Sequence, residues 1–127
     1  MNYQEDLNRL LFSAVSRGNL VDSLRLIAKG ADVNWTNDCE MGGRTCLHEA
    51  VLSCPSHVAE FLVLNGSKIN VVDKDGRTPI HLAVANGKRS HLAVLIKKGA
   101  KLDLKDHEGH DILSIALYRA DADIVTL

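Results

Sequence analysis

The chain has 127 residues, 46% apolar and 24% charged, which fits a single globular domain. Its formal net charge of −1 offers no basic footprint for nucleic acid or an anionic membrane, and its 4% aromatic content leaves the core to Leu, Ile, Val and Ala. No run reaches the roughly 18–20 apolar residues of a membrane span, the start at Met1 to Asp6 lacks a signal-peptide layout, and three cysteines without framework spacing point to reduced thiols in the cytoplasm.

The first predicted helix is carried by Leu10, Leu11, Phe12, Ala14 and Val15 and ends near Gly18. A second helix ends at Gly30, which opens the stretch Gly30-Ala31-Asp32-Val33-Asn34. Thr45 is then the cap of a helix running to about Ser53, and a partner helix follows from about Ser56 to Asn65. Cys54 stands where Gly18 and Gly87 close the other first helices, so this corner is expected to be strained or differently shaped. Thr78 caps the next helix, with Pro79 at the first helical position, where a missing N–H costs nothing. That helix runs to about Asn86 and stops at Gly87; its partner covers about Ser90 to Lys98 and turns Leu92, Leu95 and Ile96 to the core. Asp103 to Gly109 reads as a polar hairpin, Asp111 as the last cap, and Ala120 replaces the helix-ending Gly. Ile124, Val125 and Leu127 end the chain inside an apolar helix pattern, which suggests a piece of a longer protein.

Two landmarks recur. Gly43-Arg44-Thr45-Cys46-Leu47-His48 returns as Gly76-Arg77-Thr78-Pro79-Ile80-His81 and as Gly109-His110-Asp111-Ile112-Leu113-Ser114, spaced by 33 residues. Gly30 to Asn34 returns as Gly66 to Asn70 after 36 residues and as Gly99 to Asp103 after 33, so three extra residues enlarge the loop between Asn34 and Gly43. A fixed period of this length marks a stacked array in which no unit buries its apolar face alone. The two landmarks resemble those of the ankyrin repeat, T-P-L-H-x-A with a closing G-A-D-V-N. The resemblance implies an all-α solenoid of about four helix-turn-helix repeats joined by β-hairpin loops, with repeats at about 7–36, 37–70, 71–103 and 104–127, the last incomplete. It also implies that the pairs Thr45–His48 and Thr78–His81 tie each turn to the next repeat.

The sequence holds no phosphate loop, nucleophile elbow or paired carboxylates. Cys54-x-x-His57 and the trio Cys39, Cys46 and His48 lack the paired spacing of a zinc site. Asp73-Lys74-Asp75-Gly76 starts like a calcium loop, but Val84 falls where its last acidic ligand belongs. The basic residues Lys97, Lys98, Lys101 and Lys105 interleave with Asp103, Asp106 and Glu108, as on a solvated mixed surface. No enzyme activity, cofactor, metal or small-molecule substrate is therefore expected.

Arrays of the ankyrin kind resemble a cupped hand, with hairpin tips as fingers and first helices as the palm. The resemblance places the ends of the first helices in that palm: Ser16 and Arg17, Leu52 and Ser53, Ala85 and Asn86, Tyr118 and Arg119. The enlarged first finger adds Trp35, Glu40, Met41 and Arg44. Trp, Tyr, Met and Arg are enriched at protein interfaces. Gly30 to Trp35 and the tail Ala122 to Leu127 are further similar to ankyrin segments of centaurin-beta-type Arf GTPase-activating proteins. The insertion around Cys39–Gly42 departs from that pattern. The likeness implies a non-catalytic docking segment for a protein partner, with a GTP-bound Rab-family small GTPase as one such partner, and recruitment to endosomal or plasma membranes through the parent protein. A generic adaptor, or a brace or dimerisation element within a larger enzyme, are the alternatives.

Overall fold

The computed structural model describes residues 2–38 and 41–119, and the side chains of these up to Tyr118. Seven helices are formed: α1 (Tyr3–Ser16), α2 (Leu20–Ala28), α3 (Cys46–Ser53), α4 (Ser56–Leu64), α5 (Pro79–Ala85), α6 (Arg89–Lys97) and α7 (Ile112–Arg119). Helices α1, α2, α3, α5 and α7 start where a side chain can satisfy a first orphan N–H group, whereas α4 and α6 begin after Pro55 and Lys88 with no side-chain cap. Asn2 does so for α1 and Asn19 for α2, while Thr45 and Thr78 begin α3 and α5. Asp111 receives the Ser114 N–H at 2.9 Å, so the expected cap of the last unit is in place. The hairpin loops contain no named strand among the described residues; an isolated antiparallel bridge joins Asn37 and Arg44.

The helices form two layers. In the inner layer α1 packs on α3, α3 on α5 and α5 on α7; in the outer layer α4 packs on α6. Each inner helix folds back onto its own outer partner, α1 on α2, α3 on α4 and α5 on α6. The core between the layers is aliphatic, with Leu11, Leu47, Leu62, Ile80 and Leu95 fully buried. Leu92 and Leu95 point inward as expected, but Ile96 is 42% exposed. It follows Leu95 by one position, and a helix turns that neighbour about 100° away from the buried stripe.

Polar links join successive units. His48 uses Nδ1 to accept the Thr45 N–H at 3.1 Å and reaches the Arg77 carbonyl with Nε2 at 2.9 Å. His81 repeats this with the Thr78 N–H at 3.1 Å and the His110 carbonyl at 3.2 Å. Burial holds the His48 imidazole below its ordinary pKa of 6.5, so it stays neutral and Nε2–H donates. The Asn residues that close the Gly-Ala-Asp-Val-Asn landmarks act alike: Asn34 accepts the Lys68 N–H, and Asn70 the Lys101 N–H. The hairpins are stapled too, Lys74 N–H to Gly42 O and His107 N–H to Asp75 O, each at 2.9 Å.

The corner at Cys54 is differently shaped rather than strained. Helices α1 and α5 end through Gly18 and Gly87 at φ 69 and 64, whereas Cys54 is extended at φ −124 and ψ 162. Pro55 follows directly and α4 starts one residue later, so no left-handed residue is needed. The Cys54 thiol donates to the Val15 carbonyl at 3.0 Å, and its own carbonyl accepts from His91 Nε2. One residue thus bridges the units before and after its own.

Candidate protein-docking groove

The groove runs where the hairpins meet the inner helices. Its upper edge is set by the hairpins themselves. Asp73 is buried and accepts the N–H groups of Asp75 at 2.9 Å and Arg77 at 3.0 Å; Asp106 does the same for Glu108 and His110, each at 2.9 Å. These turns place Arg77 and His110 one repeat apart, in line with Arg44. Burial disfavours the Asp106 carboxylate, but the two N–H donors, His110 and the Arg77 guanidinium at 3.7 Å outweigh it, and its pKa lies below the ordinary range.

Two clefts open along the groove. The first, of about 380 Å³, is lined by Phe12 and Met41, by Ser13, Ser16 and Asn37, and by Arg9 and Arg17. The second, of about 640 Å³, lies between Arg77, Glu108 and His110 on one side and Ala85, Ser114, Ile115 and Tyr118 on the other. Among the residues expected to contact a partner, Arg17 and Met41 line the first cleft and Tyr118, 95% exposed, lines the second. Leu52 is half-buried on the core, Arg44 is half-buried, and Ser53 and Asn86 are exposed at helix ends. Asn86 donates its side-chain N–H to the Leu82 carbonyl at 2.8 Å, which caps its own helix. Glu40 and the Arg119 side chain lie outside the described residues.

Trp35 is half-buried against the core and packs on α1. Its ring meets Phe12 edge-on at 6.1 Å, and the Arg9 guanidinium lies over it at 5.6 Å. The indole therefore fastens the first finger to α1.

Glu49 does not stand out in the sequence, yet it sits beneath the groove at 4% exposure. One of its oxygens, Oε1, accepts the hydroxyls of Ser16 at 3.0 Å and Ser53 at 2.8 Å, linking the ends of α1 and α3. Its place, one residue after His48, was the available signal. Arg77 also carried one, because it follows Arg44 by a full period.

The described cysteines offer no activated nucleophile. Burial pushes the Cys46 thiol up to about 12, helped by the nearby charges of Asp32 and Glu49, and burial with Glu49 also raises Cys54. His48 has both ring nitrogens engaged in holding the array together. These groups are committed to structure.

The repeated unit of hairpin, inner helix and outer helix has a match among known families. The family model for ankyrin repeats (3 copies) matches residues 47–127. The chain belongs to the ankyrin-repeat family. No curated protein matches it at significance. The match begins at Leu47, so α1 and α2 precede it; they lack the Thr–His landmark, but α1 stacks on α3 all the same. As an ankyrin array the chain is a protein-interaction module. No helix among the described residues is long and apolar enough to cross a membrane.

Proposed function

We propose that this ankyrin array is a non-catalytic docking module that holds a protein partner in the groove between its hairpins and inner helices. The observation that carries this reading is Tyr118: its ring is 95% exposed on the wall of a cleft of about 640 Å³. An exposed aromatic beside a pocket is the type of residue that anchors interfaces. Arg17, Met41, Arg44, Leu52, Ser53 and Asn86 extend the contact surface along the groove; Glu40 and Arg119 belong to the same expected contact set. Trp35 supports the surface from below by holding the first finger on α1. The division into four repeats, at about 7–36, 37–70, 71–103 and 104–127, belongs to the same reading.

The finer reading is a docking segment of a cytoplasmic Arf GTPase-activating protein that receives a GTP-bound Rab-family small GTPase. It is supported by the likeness of Gly30 to Trp35 and of Ala122 to Leu127 to the centaurin-beta pattern. A GTPase switch surface is ordered by the γ-phosphate, so such a partner distinguishes the two nucleotide states. The test is binding of purified Rab proteins, loaded with GTP analogue or GDP, to the chain and to its Tyr118→Ala variant. Retention of only the GTP-analogue form, lost in the variant, supports the finer reading. Equal binding of both forms, or none, removes the GTPase and leaves the docking module.

A second reading, a brace inside a larger enzyme, is favoured by Leu113 and Leu117 on α7, which are 55% and 61% exposed. It expects substitutions there to alter the parent enzyme with no partner added.

A further inference from the structure

The charge of the groove differs from that of the chain. The formal net charge is −1, yet three carboxylates along the groove are turned inward: Glu49, Asp73 and Asp106 are 4%, 9% and 6% exposed. One oxygen of each is occupied, by the hydroxyls of Ser16 and Ser53 or by N–H groups of the hairpins. Cations reach the surface instead. Arg17 is exposed at the end of α1 and takes part in no ion pair among the described residues. Arg44 and Arg77 hold equivalent places in successive hairpins, both half-buried, and His110 takes the third place, exposed. Arg77 is shared with Asp106 at 3.7 Å, which leaves other N–H groups of its fork for a second acceptor. Glu108, 3.9 Å from His110, and Asp75, which shares a cleft with Arg77, are exposed carboxylates near the third hairpin, and Asp38 is exposed at the first, so the cationic excess is greatest at the Arg17 end. The first cleft has no carboxylate among its described lining residues, and Phe12 and Met41 give it an apolar floor.

We propose that the groove takes an acidic peptide segment, whose carboxylates meet Arg17, Arg44 and Arg77 and which seats an apolar side chain beside Tyr118. The inference rests on the docking reading above but not on the GTPase identity. The guanidinium fork suits a carboxylate, which it can bind through two parallel N–H groups. Exposed cations beside a cleft whose described lining holds no carboxylate also speed encounter with acidic chains.

The test is selection of random dodecapeptides, displayed on phage, against the whole chain, with each winner measured by fluorescence polarisation. Peptides that bind the groove lose affinity for the Tyr118→Ala variant. Among them the inference expects enrichment of Asp and Glu, affinity that falls as salt rises, and a loss of about tenfold on Arg17→Glu. Thermal melting of the variants shows that they remain folded. Groove-binding peptides no more acidic than the library, or unaffected by Arg17→Glu, would overturn the acidic partner while leaving the docking site intact. Winners that bind Tyr118→Ala as tightly as the parent chain, or no winners at all, would overturn the docking reading itself.

Discussion

His48 shows how one buried side chain makes the array sensitive to acid. It is fully buried, accepts from Thr45 and donates to Arg77, and burial lowers its pKa below 6.5. Below pH 6.5 the unfolded chain takes up a proton at this ring that the folded chain refuses, so stability present above that pH is lost as the pH falls. Thermal unfolding followed from neutral to acidic pH should show this loss. A His48→Ala variant should cost about 1–3 kcal/mol at neutral pH and show a flatter acid slope. Identical slopes in both chains would contradict the assignment. Gly76 makes a second residue-scale case. Its φ is 73, and an added Cβ would lie 2.8 Å from the His107 backbone nitrogen of the next hairpin. Gly109 has φ 83 but nothing within 4 Å. Both substitutions to Ala carry backbone strain of about 1 kcal/mol, but Gly76→Ala also collides with backbone and should lose about 2–3 kcal/mol. Urea unfolding of the two variants side by side decides whether hairpin contact matters.

At the scale of elements, the coupling of neighbouring units is concentrated in a few polar side chains that leave one helix and end on another. Glu49 belongs to α3 but holds Ser16 at the end of α1. Replacing it with Ala strands two hydroxyls and loosens that pair of helices, at a cost of about 1–3 kcal/mol. Glu49→Gln keeps an acceptor oxygen and should cost less, so an equal loss in the two variants would mean that the carboxylate charge, not the hydrogen bonds, supports the contact. The Cys54 corner couples elements differently. Its extended backbone shortens the link between α3 and α4, and this brings its thiol to Val15 and its carbonyl to His91.

For the whole molecule, stability follows from stacking. Helix α3 is packed against α1, α4 and α5, and α5 against α3, α6 and α7, while α2 rests on α1. In a quasi-one-dimensional array each unit draws on its neighbours, so inner units open least often. Native-state hydrogen exchange should therefore be slowest at amides such as Val51 and Ala83 and faster in α2. Uniform protection across the helices would indicate one cooperative block instead. The same architecture explains the groove. Apolar surface is consumed between the layers, and the free edge is left to Arg17, Arg77, His110 and Tyr118.

Much of this organisation is written in the sequence because it depends on local chemistry that repeats. Thr at a cap, Pro at the first helical position, Gly at a left-handed corner and leucines at helical spacing each act within a few residues, and a 33-residue period multiplies them into an array. The helices, the Thr–His links and the line of hairpins were legible for that reason. What the tertiary structure decided involves residues far apart in the chain. Trp35 is drawn onto Phe12 and Arg9, Glu49 is buried under hydroxyls from two helices, and Ile96 turns outward. Distance along the chain does not say which side chains will meet; the packing of one unit on the next does, and it thereby set which charges the groove hides and which it presents.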